Sequence, residues 1–536
     1  MNDPVIHESA ALPDTESTEN VAAGAQQFRS QVGHISRHSG VYFAGTLFSM
    51  GLGYVFKVYL ARWLGAEALG AYALGLTMVG FVGTFNSLGL GTTAVRFAAK
   101  YRAEHKWEQL RALLWRGGAI LLLANVLFAA ILLKLGGVVA VRFYHSPLLA
   151  RYIPWFTVLM LLGVISTYYE RILAGYKEVG QRTLIKNFIG SPATMLFAIL
   201  LIGLGWGLRG YLLAQVAGAV LVIVLLLVAV WKLTPDEARL SLRWPAPLER
   251  DVWSFSGAAM GLLLLQFLMS QVDKIALGFY RGARDVGIYS ISAAVVAYVS
   301  LILNSVNQVF SPMIADLHAR KDNAMLGRLY RALTKWIIGL TLPLAITVMV
   351  YARPILRIFG PDFEAGWPIL IIGTVGQLVN CGVGSVGILL LMSGNERRLL
   401  RVQGAMAAVM TVASIALIPI WGLVGAAVAA AITNAGTNLW NLLEVRRVLG
   451  LSPFSRSYLR LVGPTIISVL AVLGLKSQAH LLGRDWLGIS AGLIGSYLVF
   501  AGMVAVLGLD EDDRLVAHAL WSRARKSVTT VEGLEP

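Results

Sequence analysis

Cysteine is nearly absent: among 536 residues there is one, Cys381, set inside an apolar run. A single thiol excludes a disulfide framework and a thiolate metal site within one chain. Charge is also sparse, at 14% of residues, and acidic charge more so, with 29 Asp and Glu against 45 Lys and Arg. The resulting net charge of +16 is spread over short loops and forms no dense patch, which argues against a nucleic-acid surface and for control of membrane topology. Walker and G-x-S-x-G motifs are missing, the eight histidines are isolated, and no acidic pair sits at membrane depth. An ATP motor and the common catalytic constellations are thereby excluded from the chain. No metal or cofactor is expected, and there is no long extramembrane loop to house an enzyme.

Apolar side chains are abundant instead: 57% of residues are hydrophobic, and the mean hydropathy is +0.68. That is more apolar surface than one soluble core can bury, so lipid must take up the remainder. A crossing needs roughly 20 apolar residues. The pattern predicts an all-α polytopic membrane protein with about 14 transmembrane helices, arranged as two parallel six-helix lobes plus two C-terminal helices. The expected spans are 40–62, 70–97, 115–137, 152–172, 185–207, 210–231, 252–276, 286–312, 333–352, 366–392, 399–420, 423–444, 457–475 and 486–508. They group into a polar tail (1–39), an N-lobe (40–232), a C-lobe (252–447), a last helix pair (457–508) and a second tail (509–536). Residues Met1 to Gln27 are acidic and polar, without the basic-then-apolar order of a signal peptide, and read as disordered. Two inner loops, Tyr101–Arg116 and Ala315–Arg331, carry Trp107, Leu110, Met325 and Leu329 at helical spacing and suggest amphipathic helices lying on anionic lipid.

The chain also repeats itself. Lys57, Leu60, Gly65, Ala66, Gly70 and Tyr72 match Lys274, Leu277, Gly282, Ala283, Gly287 and Tyr289 at a constant offset, sharing G-x4-G-x-Y between two spans. At nearly the same offset, Gly207-Leu208-Arg209-Gly210 recurs as Gly422-Leu423-Val424-Gly425. Two registers in the same order point to a duplicated bundle, and an even number of spans per copy makes the repeat parallel.

Ionisable groups within hydrocarbon cost at least a few kcal/mol and normally face a cavity or a partner. Lys57 and Lys274, at equivalent repeat positions, would face each other across one cavity and attract a phosphate or pyrophosphate; alternatively, lying about one turn from the outer helix ends, they snorkel to water. Arg96 either meets the same anion at the inner mouth or anchors its helix. Asp273 and Glu170 are ion-coupling candidates, the first also a counter-ion for Lys274 and the second a partner in a local ion pair. Polar stripes run along span eight (Ser300, Asn304, Asn307, Gln308, Ser311) and span twelve (Asn434, Asn438, Asn441), with Gln377, Asn380 and Ser385 on span ten. Such residues either bond neighbouring helices or line a wet path for sugar hydroxyls.

The segments FAGTLFSMGLGYVFKVYLARWLGAEALGAY, VDKIALGFYRGARDVGIYSISAAV and LLLMSGNERRLLRVQGAMAAVMTVASIALIPIWGLVGAAVAAAITN resemble the polysaccharide transporter, or O-antigen flippase, branch of the multidrug/oligosaccharidyl-lipid/polysaccharide exporter superfamily. The resemblance implies two six-helix lobes with alternating access, moving polyprenyl-pyrophosphate-linked oligosaccharide across the inner membrane. It also implies cationic cavity residues for the pyrophosphate, a role that falls on Lys57 with Lys274 as partner. Membrane lipid, a proton or sodium ion, and a polysaccharide polymerase with glycosyltransferases are the expected partners. Competing readings are an ion-coupled multidrug exporter and a polytopic glycan polymerase or ligase. Lys and Arg fall predominantly in alternate loops, so both termini should be cytoplasmic. Alkaline phosphatase fused at either end should therefore be inactive and green fluorescent protein bright; the reverse result would invert the topology.

Overall fold

The computed structural model describes residues 15–239, 246–454, 456–478 and 485–507, with side chains from residue 51 onward at almost all positions. Residues 1–14 of the first expected tail, and all of the second, lie outside the described residues. The described chain is helical throughout, without a strand: α1 (Thr15–Asn86), α2 (Leu90–Ala103), α3 (Trp107–Arg111), α4 (Gly117–Val138), α5 (Pro147–Gly175), α6 (Val179–Thr183), α7 (Ser191–Leu201), α8 (Gly207–Leu233), α9 (Arg250–Arg281), α10 (Ala283–Val299), α11 (Leu301–Ala319), α12 (Asn323–Val350), α13 (Ala352–Arg357), α14 (Trp367–Val383), α15 (Val386–Met392), α16 (Glu396–Trp421), α17 (Leu423–Leu449), α18 (Val462–Gln478) and α19 (Asp485–Leu507). Wide π turns at Ala112–Arg116, Val139–Phe143, Leu184–Gly190 and Ile202–Trp206 interrupt the first half.

Among the described residues, 10 helical segments are long and apolar enough to cross a bilayer, or 11 when the pair α10–α11, bent by 51° at Ser300, is joined. Two of them exceed one crossing: Gly51–Asn86 turns at Gly65, and Gly180–Leu233 turns at Gly205 and Gly207. The fourteen expected from sequence exceeds this count, which rises when the two arms of each turned segment are taken as separate crossings. Span ten also breaks, at Gly384 between α14 and α15. The helix α1 begins at Thr15, so residues 15–27 are helical where the sequence reading expected disorder. Ala, Glu and Gln predominate there and no proline follows Pro13, which favours helix. The supposed surface helices are corners between longer helices. Leu110 and Leu326 are fully buried in the protein, not laid against lipid.

Helices α1 to α8 pack mainly among themselves, as do α9 to α17, while α18 and α19 form a pair resting on α12. The halves meet where α1 crosses α10 and where α1 and α2 lie along α9. Leu123, Leu127, Leu200, Ile420, Leu470 and Val506 are exposed on the outside, as expected for side chains bathed in lipid tails. Because lipid is as apolar as leucine, close approach of small residues must hold such helices together.

The duplication seen in the sequence appears in the backbone. Gly65 (φ 77, ψ 173) and Gly282 (φ 85, ψ −177) share one conformation open only to glycine, which turns the chain between consecutive helical arms. Gly207 (φ 51, ψ −133) and Gly422 (φ 56, ψ −124) share another. Between the first pair of turns the halves touch backbone to backbone. A Cβ on Gly70 would lie 1.6 Å from the Ala283 carbonyl oxygen, and one on Gly287 would lie 1.9 Å from that of Ala66. The contact is reciprocal, each copy of the motif inserting its glycine against the other's alanine. Gly70→Ala or Gly287→Ala should each destabilise the protein by about 1–3 kcal/mol, the usual cost of overpacking. Gly83→Ala, with nothing within 4 Å, should be near neutral. Detergent melting curves that fail to separate these variants would remove the crossing from its central place.

Candidate functional site

Just inside this crossing lies a cavity of about 340 Å³, and both halves build it. The first half contributes Lys57, Leu60, Leu69, Tyr72, Ala73, Leu76 and Gly80 from α1 and Tyr211 from α8; the second contributes Phe267, Ser270, Gln271 and Lys274 from α9 and Gly287, Ser290 and Ile291 from α10. Lys57 and Lys274 thus line one space from opposite halves. They stand about two turns, roughly 10–12 Å, from the turn glycines Gly65 and Gly282, deeper than the single turn expected from sequence. The difference arises because α9 continues to Arg281, past the expected span end at 276.

The surroundings leave the two ammonium groups unbalanced. The Lys274 ammonium donates to Gln271 Oε1 at 2.9 Å, and the Thr77 hydroxyl, which sits 2.9 Å from the Ala73 carbonyl of its own helix, lies 3.3 Å from the same Gln271 oxygen, bringing α1 against α9 across the halves. Among the described residues, Lys57 has no hydrogen-bond or ion-pair partner. Asp273 forms no direct ion pair with the Lys274 ammonium: it is buried outside the cavity lining, accepting from the Tyr289 hydroxyl at 2.5 Å and from the Lys274 backbone N–H at 2.8 Å. Among the described residues, the cavity lining carries two lysines and no carboxylate, an arrangement that attracts a polyanion. The repeat tyrosines have diverged: Tyr289 is held by Asp273, whereas the Tyr72 oxygen accepts from the Tyr211 hydroxyl at 3.4 Å, itself bonded by Gln215 at 2.9 Å.

Two further cavities adjoin. One, of about 620 Å³, runs between α1, α5 and α9 and shares Gly80, Phe267 and Ser270 with the lysine cavity; another, of about 370 Å³, lies between α9 and Gln403 of α16. Beyond the first, α2 meets α9 through the hydroxyl pair Thr93 and Ser256 at 2.8 Å and through the Tyr101 hydroxyl, which donates to Glu249 at 2.7 Å. At the opposite end, Arg62 donates to the Ile358 carbonyl at 2.7 Å.

The remaining candidates lie elsewhere. Arg96 is exposed over the Phe255 ring, 4.7 Å from its centroid, outside these cavities. Glu170 is buried and clamped by Arg182 at 2.7 Å and Lys186 at 2.8 Å, so its partners are these two and not the adjacent Arg171. None of the span-eight, span-ten or span-twelve polar residues lines the three cavities. Asn434 donates to the Gly376 carbonyl and Asn438 to the Asn434 carbonyl, which joins α17 to α14 and caps its own helix face. Asn380 donates to Gln377, and Asn304 to Ser300, while Asn307 keeps a buried oxygen without a partner and Gln308 is exposed. The sequence reading missed Gln266, Ser270 and Gln271, although Gln266, Ser270 and Lys274 stand four residues apart on one face of α9.

Fold and cavity together define a multi-pass membrane protein of transporter architecture. The chain belongs to the polysaccharide biosynthesis protein family, whose model matches residues 35–318; the MatE model matches 258–426. It is 26% identical over 331 residues to ExoT, a succinoglycan biosynthesis transport protein of Rhizobium meliloti (strain 1021), a match covering 60% of this chain and 62% of ExoT. To AglR of Haloferax volcanii, named a probable flippase, it is 22% identical over 440 residues, covering 77% and 83%. Among solved structures, the lipid II flippase MurJ in an inward closed conformation superposes with a TM-score of 0.69 at 14% identity over 87% of this chain and 98% of MurJ. An inward-facing MATE multidrug resistance transporter gives 0.58 at 14% identity, over 74% and 94%. At these identities the structures establish the shared fold.

The clamp on Glu170 predicts a structural role. Glu170→Ala removes a buried carboxylate from two partly exposed cations and should cost about 1 kcal/mol, because solvent screens the charges left behind. A variant with unchanged melting temperature but altered ion dependence would restore Glu170 as a coupling group.

Proposed function

We propose that the chain is a flippase that moves a polyprenyl-pyrophosphate-linked oligosaccharide from the cytoplasmic to the outer leaflet of the inner membrane by alternating access, with both termini cytoplasmic. The observation that carries this reading is the pair Lys57 and Lys274 lining one cavity from opposite halves without a facing carboxylate. A diphosphate bound between them is attracted by both halves at once, so its charge favours the closed arrangement that translocation must pass through. Family membership and the name of ExoT support a glycan as cargo. In this reading the N-lobe (40–232) and C-lobe (252–447) rock about the glycine crossing. Opening toward the inner side parts Thr93 from Ser256 and Tyr101 from Glu249; opening toward the outer side releases Arg62 from Ile358. Asp273, the buried carboxylate beside the crossing, is the group assigned to exchange a proton or sodium ion. A polymerase and glycosyltransferases would consume and supply the cargo.

Antiport of organic cations is the second reading, favoured by the MatE match on residues 258–426. A cation would have to enter a cavity that carries two ammonium groups, which repel it. The double variant Lys57→Ala/Lys274→Ala should abolish surface polysaccharide at unchanged protein level. Normal polymer export by that variant would sink the cationic-cavity mechanism, and proton- or sodium-linked efflux of organic cations would replace it with antiport.

A further inference from the structure

The three cavities have one wall in common, and it is α9. Ser270 lines all three, and Gln266 lines two of them. Both are exposed residues near the middle of a 32-residue apolar helix, where the flanking side chains are leucine, phenylalanine and methionine. Among the described residues, the Gln266 amide has no hydrogen-bond partner, and neither has Gln403, which faces the α9 cavity from α16. Among the described residues, Ser270 reaches only the carbonyl of Phe267 on its own helix, at 3.3 Å. An unpartnered amide at membrane depth is costly unless water or a ligand meets it, so these side chains belong to a wet, hydrogen-bonding surface and not to helix–helix glue. Unlike the lysines, they carry no charge, and each amide both donates and accepts. Gln266 lies eight residues from Lys274 on the same face, about 12 Å along the helix axis.

We infer that Gln266 and Ser270, with Gln403 opposite, form a second subsite that binds the hydroxyl-rich glycan portion of the head group while the lysine pair holds its diphosphate. The inference rests on the flippase reading. Neutral amides and a hydroxyl match sugar hydroxyls, which donate and accept in turn, and match a diphosphate poorly, because its oxygens only accept. The separation along α9 gives the head group a fixed direction: diphosphate toward the crossing, glycan away from it.

The test uses the full-length chain, whose one native thiol, Cys381, is buried and gives a low labelling background. Gln266→Cys and Ser270→Cys, assayed in membranes with a water-soluble methanethiosulfonate reagent, should label at least about tenfold faster than the unsubstituted chain. In cells, Gln266→Leu/Ser270→Ala should cut surface polysaccharide about five- to tenfold, as expected for lost hydrogen bonds to the cargo. Gln266→Asn/Ser270→Thr, which keeps the hydrogen-bonding groups, should restore most of it, an outcome that guards against loss through misfolding. Cysteines that label no faster than background, or normal export by Gln266→Leu/Ser270→Ala, would overturn the subsite while leaving the flippase reading intact. Normal export by the double lysine variant would instead overturn the flippase reading itself.

Discussion

The structure depends on one close approach, the reciprocal contact of Gly70 and Gly287 with the alanine carbonyls of the opposite half. In lipid no hydrophobic force presses helices together, so the two bundles must be joined by dispersion and weak polar contacts between backbones brought as near as their atoms allow. Where the glycines meet, α1 and α10 are fixed. The lysine cavity adjoins this contact, with Gly287 in its lining, while Lys57 and Lys274 come from the helical arms that precede the Gly65 and Gly282 turns.

Electrostatics then gives that space its character. Asp273 sits next to Lys274 in sequence, yet the helix turns its carboxylate toward Tyr289 and leaves the ammonium to Gln271. The Lys274 ammonium is thus left with a neutral hydrogen-bond partner on the cavity wall. Glu170 shows the opposite solution, a buried carboxylate fully engaged by two cations. Charge alone did not distinguish these acids; the direction of each side chain did.

Much of this was legible in the sequence, and the failures have physical causes. Hydrophobic runs located the helices, since a bilayer imposes a length on them. The G-x4-G-x-Y repeat located the duplication, because a turn glycine and a contact glycine are each irreplaceable in that geometry. The position of Lys57 and Lys274 followed from repeat equivalence. Depth did not, because helix ends cannot be read from hydropathy when α9 continues through Phe279, Tyr280 and Arg281. Polar stripes left two readings open, and the hydrogen bond of Asn434 to the Gly376 carbonyl matches the interhelical one, while Gln266 and Ser270, isolated among leucines, attracted no notice. Periodicity reports that residues share a face, but it is silent on what that face meets.

The divergence of Tyr72 and Tyr289 has a historical consequence. An interface in which the same motif meets itself is isologous, the kind by which two identical chains form a symmetric dimer. A half-length ancestor carrying G-x4-G-x-Y would have paired with a second copy in the same orientation, and in such a dimer both tyrosines would be obliged to keep identical partners. Fusion of the copies into one polypeptide lifts that obligation. Each tyrosine can then change alone, one joining a neutral hydroxyl chain with Tyr211 and the other a carboxylate, so that a symmetric shell comes to hold an asymmetric interior.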